Sequence, residues 1–288
     1  MQRTCIFGTL FLCLAVSLSV AYGQGNCSIN MITGSYAFNS AGSSTVISGV
    51  AEDTIHFNAK YAPIINVGVF TVTPSYPRPG ATLDGYYWFI AGTQTAGLTQ
   101  NPWHATITVN RDCTGTLSYP GDFGAMQEEI LILDNGNEIR SILQTSPSAF
   151  PTPTWIMTAR RLNGSCSQRQ MAGSYLFSCK SLFPVNAATT VGGNSLIRVT
   201  IASDGKASAV FTGKFGPQIV PDTTVPGVFK MNDDCTASGT LDFGTFQSVA
   251  RGVFFNEVKQ GYWVPLVIDP GGTPQPYGYC DITQIANR

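Results

Sequence analysis

From residue 34 onward, apolar and polar positions alternate with a period of two in short runs punctuated by Gly, Pro, Asn and Asp, the pattern of half-buried strands. The first half offers eight such runs: Gly34–Phe38, Ile64–Val72, Thr82–Gly92, His104–Val109, Thr114–Ser118, Met126–Leu133, Glu138–Gln144 and Thr154–Arg160. The second half offers eight more: Gly173–Ser178, Ser195–Ala202, Lys206–Gly213, Gly227–Met231, Ser238–Phe243, Gln247–Phe255, Lys259–Val267 and Tyr277–Thr283. Asn135-Gly136 and Asp204-Gly205 are hairpin pairs. No long segment carries a 3.6-residue period with caps. Eight short strands on tight turns predict an up-and-down antiparallel barrel, whose closure removes exposed edges. The chain therefore reads as all-β, with two such eight-stranded barrels in tandem.

The halves are copies. Cys27–Phe38 reads CSINMITGSYAF and Cys166–Phe177 reads CSQRQMAGSYLF; VNRDCTGTL at Val109–Leu117 returns as MNDDCTASGTL at Met231–Leu241. A Pro-rich stretch closes each half. Landmarks kept in one order point to duplication. The expected division is residues 1–23 as a leader, 24–161 as the first barrel and 162–288 as the second.

Duplication resolves the cysteines. Cys5 and Cys13 leave with the leader. The first half then holds only Cys27 and Cys113, which must pair if each half folds alone. The repeat pairs Cys166 with Cys235 and leaves Cys179 for Cys280. Closing the span from Cys27 to Cys113 stabilises by about 4 to 5 kcal/mol on the chain-entropy model. Each cysteine past an Asn-x-Asp turn is then a staple that ties the first strand of its barrel into the sheet.

Residues 1–23 carry Arg3, an apolar run from Cys5 to Val20 and small residues before Ala21 and Gly23, which predicts a secretory signal peptide and export. Sixteen basic and 17 acidic residues give a net charge of −1, and loss of Arg3 takes it to −2. That balance offers no footprint for nucleic acid. No later segment is long and apolar enough for a membrane-spanning helix. Charged residues make up 11% of the chain, so hydroxyls and amides must cover the surface. Two histidines and no Cys-x-x-Cys give no metal site, and no cofactor motif is present.

The sequence also carries a resemblance. Gly-Ser-Tyr-x-Phe after a cysteine, Val109–Leu117, Asp134–Thr145 (DNGNEIRSILQT) and Thr158–Arg161 (TARR) resemble a group of uncharacterised secreted bacterial proteins. Their fold is similar to calycin-like barrels, which include the lipocalins and the allene oxide cyclase type. The second half departs from the pattern, with Asn256-Glu257 replacing the Asn-Gly turn and Cys280 near the place of Thr158.

An eight-stranded barrel is either filled by its own side chains or holds one small ligand. With Leu133 opposite Glu138, one hairpin face carries Glu128, Ile130, Ile132, Ile139, Ser141 and Leu143. This is the expected interior, and it points Glu128 inward near one end. The candidate ligand-binding residues are Glu128, Trp88, Trp103 and His104, each with an ordinary reading beside it: a wetted rim carboxylate, core aromatics, a hydrogen-bonded histidine. Tyr86, Tyr87, Trp88 and Phe89 are consecutive, so two must point inward and two outward. His56 has no signature that makes it a base. No catalytic motif appears. Three functions follow as expectations: a secreted non-catalytic barrel that binds a small apolar or amphipathic molecule or serves as an envelope or matrix component; a cyclase or isomerase of the allene oxide cyclase type; or a surface-adhesion module.

Overall fold

The computed structural model describes residues 26–44, 62–75, 80–91, 100–121, 124–145, 154–186, 189–215, 217–268, 274–276 and 278–285. The expected leader, His56 and most of both Pro-rich stretches lie outside the described residues. Strands β1 (Gly34–Ser44), β2 (Ala62–Pro74), β3 (Ala81–Ala91), β4 (Asn101–Val109), β5 (Thr114–Gly121), β6 (Gly124–Leu133), β7 (Glu138–Thr145) and β8 (Thr154–Arg161) pair in chain order, and β8 closes on β1. The second ring is built from β9 (Gly173–Asn186), β10 (Thr189–Ile201), β11 (Lys206–Phe215), β12 (Gln218–Met231), β13 (Thr236–Asp242), β14 (Gln247–Phe255), β15 (Gln260–Ile268) and β17 (Tyr279–Gln284). Pairing of β14 with β15 and of β17 with β9 closes it, while β16 (Pro274–Pro276) lies along β15 outside the ring. Both rings are the antiparallel up-and-down barrels that the alternation predicts. Among the described residues no helix is long and apolar enough to cross a membrane.

The lower end of each barrel, where its first strand begins, is held by the expected staple. Asn110 to Thr114 forms a three-residue turn, with the Cys113 amide donating to the Asn110 carbonyl (3.1 Å) and Asp112 accepting from the Thr114 amide and hydroxyl. Cys113 sits at φ 70°, the left-handed position that such a turn usually gives to glycine. Asn232 to Thr236 repeats every one of these bonds, with Cys235 at φ 67°. The turn from Ala202 to Lys206 is built alike but has Gly205 at that position, φ 88°. Cysteine thus takes the glycine position only where a disulfide is made. Cys27 bonds Cys113, Cys166 bonds Cys235, and Cys179 bonds Cys280 across paired strands. Three such bonds belong to an oxidising, non-cytoplasmic setting. Each staple also holds a plug: Ile32, in a short 3₁₀ turn (Ile29–Ile32), and its repeat counterpart Met171 are fully buried at the floor of their barrels.

The two barrels share a third apolar cluster. Ala37, Ile65, Val67 and Val69 on the outside of β1 and β2 pack with Val253, Phe255, Tyr262 and Val264 on β14 and β15. Leu162, directly after β8, packs against this cluster and the second core. Tyr86 adds a bond across the junction, its hydroxyl donating to Asp234. Glu138, buried on the outer face of β7, is clamped by Arg140 and Arg160, each at 2.6 Å.

Candidate functional site

The lower half of the first barrel is solid. Ile32, Tyr36, Phe70, Leu83, Ile107, Leu117, Ile130 and Ile139 are essentially inaccessible to solvent, and Tyr36 stacks on Phe70 at 5.2 Å between ring centres. Above them Trp103 closes the packed layer, with ring centres 5.0 Å from Phe38, 5.5 Å from Phe70 and 5.8 Å from Tyr119.

Higher up, the inward positions turn polar. Glu128 on β6 points inside, as the hairpin alternation predicts, and is only 2% exposed. Three neutral donors from three strands converge on it: the Tyr119 hydroxyl (2.8 Å) from β5, the Ser141 hydroxyl from β7 and the Trp155 indole N–H (2.9 Å) from β8. Burial, and then the adjacent Glu128 carboxylate, push the Tyr119 phenol far above its ordinary pKa. On another part of the wall, Asn66 donates to buried Ser40 (2.7 Å). The polar upper layer is therefore a hydrogen-bonded network, as buried polar groups require.

The second barrel does not repeat it. Ala250 occupies the place of Glu128. The Cys179–Cys280 disulfide is buried in the core where the first barrel has Ser40 and Met157. Phe177, Phe229 and Trp263 pack beside it, with Trp263 5.8 Å from Phe177 and 5.4 Å from Phe229.

The wall of the first barrel opens next to the network. Strands β4 and β5 pair only from Thr106↔Ser118 to Val109↔Gly115. Above Thr106 the chains part, and the next residues but one on β5 include Pro120, which has no N–H to offer a ladder. A groove of about 620 Å3 lies there. Its lining includes Ala105, Met126 and Tyr119, the residue whose hydroxyl bonds Glu128, together with Asp84, His104 and Gln127. His104 is exposed and bonds Asp84 through Nδ1 at 2.6 Å.

Of the four residues expected to serve a ligand, Glu128 and Trp103 meet inside the barrel through Tyr119. His104 stands outside, on the groove. Trp88 belongs to neither: it lies buried on the outer face of β3, edge-on to Tyr86 at 5.5 Å. Alternation across four consecutive aromatics does not say which pair points inward, since Tyr86 on the outer face and Tyr87 on the inner face both pack against apolar clusters. No sequence motif marks Tyr119, Ser141 or Trp155 as site residues. Each has the parity of an inward position on its strand, which is the signal that finds them once Glu128 is fixed.

No protein-family model matches the chain, and no curated protein matches it. Among solved structures, it is similar to a protein of unknown function of the DUF3598 family from Nostoc punctiforme PCC 73102, at 7% identity over 91% of this chain and 99% of that one, TM-score 0.30. A putative AttH from Nitrosomonas europaea matches at 8% identity over 87% of this chain and 92% of the other, TM-score 0.30. A transferrin binding protein B vaccine antigen from Haemophilus parasuis Hp5 matches at 8% identity over 88% and 76%, TM-score 0.32.

Proposed function

We propose that this is an exported, non-catalytic binding protein whose first barrel takes a small amphipathic molecule at its upper half, by way of the groove between β4 and β5. The observation that carries this reading is the Tyr119–Glu128 pair, a buried polar network that backs onto a groove of about 620 Å3. That volume falls in the range of small-ligand sites. The second barrel acts as a scaffold, since a disulfide and aromatics fill the matching layer. A cyclase would need a hollow barrel, whereas aromatic side chains occupy the described interior below Glu128. An adhesion module would present exposed aromatics; the large apolar side chains exposed among the described residues, Leu131, Ile142, Ile156, Leu196, Ile219, Val228 and Ile285, are all aliphatic.

Native mass spectrometry of the mature protein from its host's secreted fraction tests this. We expect a reproducible added mass of small-molecule size that is lost on denaturation. A bare polypeptide from that fraction, together with failure to take up any small molecule from a host lipid extract, would contradict it.

A further inference from the structure

Among the described residues, the first barrel buries two carboxylates, and it treats them differently. Glu138, on the outside, has a guanidinium on each oxygen, Arg140 and Arg160. Glu128, on the inside, is as deeply buried, yet its bonded partners are two hydroxyls and an indole N–H, all neutral. Those hydrogen bonds satisfy its lone pairs but bring no positive charge to it, whereas a buried carboxylate gains from a paired cation. The groove beside it has the same bias. Its carboxylate is Asp84, which His104 bonds, and no lysine or arginine is among its described lining residues. A fatty acid or a phosphate ester would find no lysine or arginine among them. Two aromatic side chains bond the carboxylate, Tyr119 through its hydroxyl and Trp155 through its indole N–H, and the Trp103 ring lies against Tyr119. An ammonium group that reaches the carboxylate is thus brought beside aromatic rings, which attract cations. Ala105, Ala125 and Met126 supply apolar lining for an attached hydrocarbon, methionine being adaptable to its shape.

We infer that the ligand of the first barrel is a cationic amphiphile, an alkyl or aryl ammonium compound whose charged end is directed to Glu128 and Asp84 and whose apolar body lies along the groove. This rests on the binding reading above and adds the sign of the ligand's charge. In the bound state the ammonium replaces one of the neutral donors on Glu128, and the Tyr119 ring, shared by groove and network, is the side chain that yields.

Three probes of equal chain length separate the two claims: decylamine, decanol and decanoate, each titrated into the disulfide-bonded mature protein at about pH 8, where the alkylamine is charged. Tryptophan fluorescence and calorimetry are the readouts. We expect decylamine to bind at least about tenfold more tightly than decanol, a preference of the size electrostatic pairing supplies, and decanoate to bind most weakly. In E128Q the preference for the amine over the alcohol falls to about twofold or less, a loss of the charge term. D84N, a change at an exposed position away from the packed network, lowers it partially and serves if E128Q does not fold. Equal or tighter binding of decanol or decanoate would overturn the cationic assignment and leave the binding function standing. Binding of none of the three would overturn both.

Discussion

Turn residues show how one fold is kept by two chemistries. Between β6 and β7 the chain runs through Asp134 (φ 49°), Asn135 (φ 52°) and Gly136 (φ 83°), and between β14 and β15 through Asn256 (φ 51°), Glu257 (φ 56°) and Val258 (φ 66°). A β-branched residue in the left-handed region is an outlier. Val258 is held there because it is 1% exposed and packed into the second core. Gly136 has no such freedom to change: a Cβ would run into the Met31 carbonyl, and its own carbonyl accepts the Tyr36 hydroxyl at 2.6 Å. Gly136→Ala should cost about 2 to 3 kcal/mol, the scale of local backbone strain, read as a lower urea midpoint with unchanged slope. The Asn-Gly pair made the first turn legible in the sequence. The second was not, because burial of Val258 overrides its local preference and only the duplication points to it. Two buried phenols give a pH signature. Burial raises Tyr36 and Tyr262 to about 12, against the lowering influence of Arg161 and Arg160 respectively. Between about pH 10 and 12 the unfolded chain has released these protons while the folded chain keeps them, so stability must fall as pH rises through that window. Urea midpoints at pH 9 and pH 11 check this; an unchanged or higher midpoint at the alkaline value would refute it.

Strands and staples were mostly readable, and the exceptions have causes. All eight runs in each half became strands of the ring. β12 starts at Gln218, well before the expected Gly227, and contains Pro221 and Pro226. Its early part pairs with β11 while its pairing with β13 begins only at Gly227. Proline is tolerated there because that stretch is paired on one side, which local composition does not reveal. The inward phase of β6 and β7 was legible because their outer face is charged or exposed, at Glu129, Leu131 and Arg140. The phase of β3 was not, since Tyr86 on its outer face packs against the junction cluster while Tyr87 faces the core. The Cys27–Cys113 staple anchors the turn that carries Ile32 into the floor of the first barrel. Replacing both cysteines by serine should therefore cost about 2 to 5 kcal/mol, and amide exchange should show the Ile29–Ile32 turn opening before β1. Equal protection of that turn with and without the disulfide would show that packing of Ile32 holds it instead.

The molecule as a whole is two similar barrels joined by a buried apolar face, with its distinctive polar chemistry placed in one of them. A junction of Ala37, Val67, Val69, Val253 and Val264 should couple the barrels in unfolding. Val67→Asp puts a carboxylate into that face opposite Asn39 and Trp88, neither of which is a cation, so its desolvation cost is not offset by a cross-strand partner. Calorimetry should show one transition for the parent and two for the variant; a single transition in both would mean that the covalent link alone sets their cooperativity. The sequence told apart the barrels at Glu128 and Ala250, but not the groove, which depends on where β4 and β5 part. The most direct test of the site is therefore to fill that groove from its wall. Ser118→Trp, on the outer face of β5, places an indole in the groove without replacing any member of the Glu128 network. The account predicts that native mass spectrometry finds the small-molecule adduct on the parent protein and none on a folded Ser118→Trp variant purified in the same way. An adduct of undiminished occupancy on the variant would place the ligand elsewhere and contradict it.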